Sequence, residues 1–256
     1  MLKKKKIPQP LTQVNCRCPE MMLQGELLLK HIPPGQKNMT SDQTHQTAAV
    51  RKTYQIVPGP EMGLVSPTIL ARIAEVALKY SIPLLKITAG QRLSFVGLDP
   101  ADVPAIWHDL GHHEGPRRPQ GLQYVQACPG RQLCKYGRQD SLHLATLLQE
   151  ALAPLTLPAK TKIGISGCAM NCCESFVRDL GIFGKKNGWT LVFGGNGGGR
   201  PRLGDIIATT LSDQQVVTLA RECLHHYARL ARPKERTARF MERTSLEDFK
   251  KTLRTL

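Results

Sequence analysis

The chain of 256 residues is short of aromatic side chains, of negative charge and of long apolar runs. Phe, Trp and Tyr together make up 5%, too few for a platform on which bases would stack. Nucleic acid is therefore an unlikely partner, although a basic chain can still bind phosphate. The most apolar stretch, 63–80, is interrupted by Pro67, Arg72, Glu75 and Lys79, so no membrane partner is expected. The opening MLKKKK has the charge of an export signal. Ile7-Pro-Gln-Pro then stands where the signal's apolar segment should begin. This pattern points to a cytoplasmic protein with a solvated basic tail. No G-x-G-x-x-G opens a helix after a strand, so the chain shows no flavin or nicotinamide fingerprint of its own. No internal repeat is visible.

What the chain has is positive charge and cysteine. Lys and Arg number 35 against 20 Asp and Glu, a formal charge of +15. Such an excess calls for an anionic partner: a nucleic acid, a membrane surface, an acidic protein or small anions. Hydrophobic residues make up 41%, enough to build a core. The eight cysteines are Cys16, Cys18, Cys128, Cys134, Cys168, Cys172, Cys173 and Cys223. Without an export signal they favour metal or redox chemistry over disulfides.

The patterning divides the chain into an N-terminal extension (1–50), a first α/β unit (51–115) and a second (120–256). The extension is polar and irregular, with one Cys16-Arg-Cys18 element and a short helix over 21–29. In the first unit, Tyr54–Val57 reads as a strand. Ser66-Pro67 caps a helix with Ile69, Leu70, Ile73, Val76, Ala77 and Tyr80 on one face. Leu84–Thr88 and Leu93–Gly97 read as strands around Gly90, and Asp99-Pro100 opens a second helix. This order is most of a ferredoxin-like split βαβ unit. The second unit begins with strand Leu122–Ala127. Helix Gln139–Leu152, strand Lys162–Ser166 and a hairpin turning at Lys185–Gly188 follow. A glycine loop (194–199) leads to helix Ser212–Leu230 and two shorter helices.

Four cysteines form two spaced pairs, Cys128-x5-Cys134 and Cys168-x3-Cys172, each just after an expected strand. Four thiolates suit zinc or an iron–sulfur cluster. Structural zinc favours two to four residues within each pair, so the x5 spacing fits a larger cluster better. Buried free thiols are the plain alternative, which two matching pairs make improbable. His112-His113 and His225-His226 lack the i, i+4 spacing of helical metal ligands, and Cys223 reads as a core residue.

With its flanks, the pattern resembles the siroheme and [4Fe-4S] nitrite/sulfite reductase family, including small assimilatory-type sulfite reductases and the siroheme domain of NAD(P)H nitrite reductases. Supporting runs are Ala127-Cys-Pro-Gly130, Leu133-Cys-Lys-Tyr-Gly-Arg-Gln-Asp-Ser141, Leu157-Pro-Ala-Lys-Thr-Lys162, Ser166-Gly-Cys168, Thr88-Ala-Gly-Gln-Arg92 and Gly195-Asn-Gly-Gly198. The resemblance covers about residues 53–256. It implies an α+β fold, with a ferredoxin-like half-domain followed by a siroheme/[4Fe-4S]-binding α/β domain. It also implies six-electron reduction of sulfite to sulfide or nitrite to ammonia.

By the same resemblance, Cys128, Cys134 and Cys168 hold cluster irons, and Cys172 bridges the cluster to siroheme. Lys160, Lys162 and Arg92 handle the anion and its protons. Thr88, Gln91, Arg92, Arg131 and Asn196 bind siroheme. Cys173 stands where the family usually has a small residue, and a small core residue is the favoured reading of it. Family arginines are replaced at Ile56, Gly90 and Gln123, with Arg51, Lys52 or Arg118 as conceivable substitutes.

The family plan is commonly doubled, and this chain has room for one copy. The resemblance therefore implies an external electron donor, an acidic ferredoxin or flavoprotein, and makes a homodimer a natural substitute for the missing copy. The tail from Arg229, with nine Lys/Arg against four Asp/Glu, reads equally as a docking face for that donor or as solvated helices. An iron–sulfur, heme-carrying electron-transfer subunit of a larger complex is the alternative function. A zinc-stabilised nucleic-acid-binding protein is the third.

Overall fold

A computed structural model describes residues 54–112 and 121–254, all within one compact unit. The extension 1–50 with Cys16, Cys18 and the helix expected over 21–29 lies outside the described residues, as do Arg51, Lys52 and Arg118.

The first unit comprises β1 (Tyr54–Ile56), α1 (Pro67–Lys79), β2 (Leu84–Ile87), β3 (Leu93–Val96) and α2 (Val103–Asp109). The sheet runs β1-β3-β2 with both pairings antiparallel. Ser66 Oγ accepts the Ile69 N–H at 3.2 Å, and Pro67 supplies a preset first turn. Ile73, Val76 and Ala77 bury the helix against Phe95, Ile106 and Trp107. Ile69 and Leu70, expected on that face, are exposed. The three short strands support the helix only from Ile73 onward, so its first turn projects into solvent.

The second unit opens with β4 (Leu122–Ala127), α3 (Gly130–Leu133), α4 (Ser141–Leu152) and β5 (Thr161–Ser166). β6 (Leu180–Lys185), β7 (Gly188–Phe193) and β8 (Asp205–Leu211) complete a sheet ordered β4-β5-β6-β7-β8. β4, β5 and β6 are mutually parallel, and the last two pairings are antiparallel. α5 (Asp213–Leu230), α6 (Thr237–Arg243) and α7 (Leu246–Arg254) close the chain. Leu144 and Leu148 of α4 join Val216 and Ala220 of α5, Ile163 and Ile165 of β5, and Leu191 and Phe193 of β7 in one core. The sequence pattern does not predict strand β8. It is an edge strand whose only buried residue is Ile207, so it carries almost no hydrophobic alternation. Among the described residues no helix is long and apolar enough to cross a membrane.

Asp179, 1% exposed, ties the C-terminal helices to the sheet. Its carboxylate accepts from the Lys162 backbone N–H at 2.9 Å, Thr237 Oγ1 at 2.6 Å and Arg236 at 2.7 Å. A buried carboxylate is tolerable only with this degree of pairing. Replacing Asp179 with Ala strands the Arg236 charge and frees the backbone of β5. We expect a loss of about 3 kcal/mol, a fall in Tm of roughly 10 °C in a circular-dichroism melt.

Candidate cofactor and substrate site

Parallel strands β4 and β5 end side by side, and each releases one cysteine loop. The Cys128 N–H continues the ladder onto Ile165 O at 3.1 Å. Beyond it the loops interlock. Gly167 O accepts the N–H groups of Arg138 and Gln139 at 2.8 and 2.9 Å, and the Gly167 N–H donates to Cys128 Sγ at 3.0 Å. A Cβ on Gly167 would lie 2.7 Å from Gly130 Cα, so the two backbones meet where only glycine fits.

Cys128 and Cys173 are buried, Cys134 and Cys168 are half-buried, and Cys172 is exposed. The Cys128 thiol is pushed down to about 5, chiefly by a hydrogen bond from the Cys173 thiol. Burial opposes this, and the N–H groups of Gly167 and Gly130 together with Ser141 assist it. Cys173 is pushed up by the same hydrogen bond and by burial. The downward shift favours the thiolate at Cys128, the form that binds iron, and the upward shift favours the neutral thiol at Cys173. Cys173 is buried beneath the loop, its N–H on Ser166 Oγ at 3.0 Å. Among the described residues, no three His, Cys, Asp or Glu side chains are grouped to hold a single metal ion.

A basic site lies on the face of β4 and β5 that carries Tyr124, paired directly with Lys162. Three cations surround the Tyr124 ring: Arg92 at 5.4 Å, Arg178 at 5.9 Å and Lys162 at 6.0 Å from its centre. Arg178 also donates to Tyr124 Oη and Gln126 Oε1, both at 3.0 Å, to Glu174 at 2.8 Å and to Cys173 O at 3.3 Å. Arg92 reaches Gln123 O at 3.0 Å, while its buried Nε has no hydrogen-bond partner among the described residues. Burial, its largest influence, lowers the Arg92 pKa. Tyr124 is raised, burial outweighing the pull of Arg178 and Arg92. A buried guanidinium N–H with no hydrogen-bond partner among the described residues, beside two further cations, has the chemistry to hold an anionic group.

Three of the other expected residues, Gln91, Thr88 and Asn196, make hydrogen bonds within the protein. Gln91 Oε1 accepts the Ala127 N–H at 3.1 Å, fastening the first unit to the strand end that carries Cys128. Thr88 Oγ1 accepts the Arg92 N–H at 3.1 Å and shapes the turn. Asn196 holds the glycine loop, accepting from Gly198 N–H and donating to Arg200 O. Arg131 is exposed on α3, and Lys160 is exposed one step before β5.

Sequence reasoning missed Tyr124, Arg178 and Asp179. Alternation along β4 did carry a signal for Tyr124: Tyr124 and Gln126 oppose the buried Val125 and Ala127. Gly90 is more than a lost arginine. A Cβ there would approach Tyr124 Cδ1 to 2.7 Å, so the glycine makes room for the ring.

The model of the nitrite and sulphite reductase 4Fe-4S domain matches residues 120–256, and that of the nitrite/sulfite reductase ferredoxin-like half domain matches 45–113. The chain belongs to the nitrite and sulfite reductase family. It is 40% identical over 201 residues to the assimilatory-type sulfite reductase of Nitratidesulfovibrio vulgaris, covering 78% of this chain and 92% of that one. It is 36% identical over 213 residues to the NAD(P)H nitrite reductase of Bacillus subtilis, covering 83% of this chain but 26% of the longer enzyme. Among solved structures, dissimilatory sulfite reductase I shares the fold with a TM-score of 0.68 at 10% identity, over 78% of this chain and 68% of that one. This reductase of the sulfite/nitrite class therefore carries the family's cofactors, a [4Fe-4S] cluster and siroheme.

The interlocked loops give a direct check. Gly167→Ala drives a methyl group into the opposing backbone at an overpacking cost of about 1–3 kcal/mol. The variant should purify folded but with most of its cluster iron lost, read by iron analysis and visible absorbance.

Proposed function

We propose that the chain reduces sulfite to sulfide in a six-electron reaction, taking electrons from an external donor. The observation that carries this reading is the convergence of Arg92, Lys162 and Arg178 on the Tyr124 face, beside the loops that present Cys128, Cys134, Cys168 and Cys172. Those four cysteines would hold the cluster, with Cys172 shared with siroheme. When bound, siroheme supplies an iron with an open position, and the cluster relays electrons to it.

The chain's own side chains do the remaining work. Positive charge from the three cations offsets the charge of the oxyanion. The Lys162 ammonium can donate a proton as S–O bonds break, and its strand position is fixed by the backbone bond to Asp179. Tyr124 Oη, accepting from Arg178, keeps its own proton free to donate toward the face. The near-complete overlap with the assimilatory-type sulfite reductase supports sulfite as substrate. The Gln91-Arg92 motif resembles the nitrite-reductase branch, so nitrite is the competing substrate.

Anaerobically purified protein, reduced by methyl viologen, should turn over sulfite with a higher kcat/KM than nitrite. A reversed preference would make it a nitrite reductase, and turnover of neither would sink the enzymatic reading. Arg178→Gln removes a charge-assisted contact and should lower kcat/KM for sulfite by about 10- to 100-fold. Its siroheme and cluster absorbance should persist, and Arg178→Lys should recover part of the loss.

A further inference from the structure

The C-terminal tail, which reads equally as a docking face or as solvated helices, uses much of its charge internally. Arg236 pairs with Asp179, Arg239 with Glu242 and Arg243 with Glu235. A different surface combines positive charge with exposed apolar groups. It surrounds a hollow of about 360 Å³ lined by Tyr136, Arg138, Cys168, Met170, Lys185 and Lys186.

This surface is built by both cysteine loops and the β6–β7 turn. Leu133 and Tyr136 from the first loop are 72% and 59% exposed, and Met170 from the second is 75% exposed. Arg138, Lys185 and Lys186 are exposed around them. Lys135 lies 4.9 Å from the Tyr136 ring centre and adds a fourth cation. The first loop's one carboxylate, Asp140, faces its own scaffold: it accepts the His143 N–H at 3.1 Å and Gln132 Nε2 at 2.5 Å. The Lys185 backbone carbonyl accepts from Gln139 at 2.8 Å, which pins the turn to the first loop.

We infer that this surface is the docking site for a small acidic iron–sulfur electron carrier of the ferredoxin type. The inference rests on the proposed reductase reading and locates the entry point of its electrons. Three observations select this occupant. Positive charge at the rim suits an acidic protein and speeds its encounter. Tyr136 and Met170 at the hollow supply the apolar contacts that hold a transient complex, with methionine adaptable in shape. Cys168 lines the hollow itself, so a carrier seated there lies against a proposed cluster ligand. Electron tunnelling falls steeply with distance, and a carrier must seat close to deliver. Each encounter moves one electron: the carrier's reduced cluster is oxidised, the reductase cluster is reduced, and no bond forms or breaks. Six encounters supply one sulfite.

The test uses the cofactor-loaded protein, a plant-type [2Fe-2S] ferredoxin as the probe and reduced methyl viologen as a dye that needs no docking face. Lys185→Glu/Lys186→Glu should raise KM for ferredoxin about tenfold or more at low ionic strength. The same variant should weaken ferredoxin binding measured by calorimetry and leave dye-driven turnover unchanged. Lys185→Gln/Lys186→Gln should give an intermediate KM, and Lys250→Glu/Lys251→Glu on α7 should leave it near the parent value. Unchanged ferredoxin kinetics in the hairpin variant, or a larger effect from the α7 variant, would overturn the docking inference while the reductase reading stood. Loss of a dimer in the hairpin variant, seen by sedimentation without change in ferredoxin binding, would assign the surface to a second copy instead. Failure of the dye to drive turnover of sulfite or nitrite by the parent protein would remove the reductase reading, and the docking inference with it.

Discussion

The close backbone contact between the two cysteine loops governs the rest of the site. Cys128 and Cys168 are far apart in sequence, yet they leave adjacent parallel strands in the same direction. Parallel pairing makes this possible, because it puts the C-terminal ends of β4 and β5 next to each other. Gly167 then lets the loops touch, and its N–H bonds the Cys128 sulfur while its carbonyl takes two N–H groups from the other loop. This contact holds the loops that carry Cys128 and Cys168 against each other.

Charge is distributed by role. The arginines at 236, 239 and 243 are spent on carboxylates and serve to fasten the last helices. Around Tyr124 the balance differs: among the described residues, Arg178 pairs with one carboxylate, Glu174, which is itself largely exposed, and the buried Nε of Arg92 has no hydrogen-bond partner. Among the described residues, positive charge thus includes a structural share, a share gathered around Tyr124 and a surface share at the β6–β7 turn.

The first unit contributes to the site through one turn. Thr88 shapes it, Gln91 bonds the end of β4, and Arg92 reaches the Gln123 carbonyl and the Tyr124 ring. Gly90 yields its space to that ring. A second link, from Gln149 of α4 to Glu61, joins the units at another point. The Tyr124 face thus belongs to both units, and its shape depends on how this turn seats on β4.

The chain's local patterns determined a good deal alone. Ser66-Pro67, Asp140 and Ser212 each start a helix by bonding an N–H within the next three residues. The Lys185–Gly188 turn makes its hairpin, and the two cysteine spacings with their flanks pointed to the cluster and the family. These features are legible because their causes lie a few residues apart. Tertiary structure decided the rest. Strand β8 is held by pairing with β7 and carries little pattern of its own. Asp179 gains its meaning from Arg236 and Thr237, and Arg178 from Tyr124, partners more than fifty positions away. Cys173 reads as a small core residue until the fold sets its thiol against Cys128. Such contacts follow from sheet order and register, which bring together residues whose spacing in the sequence carries no periodic signal.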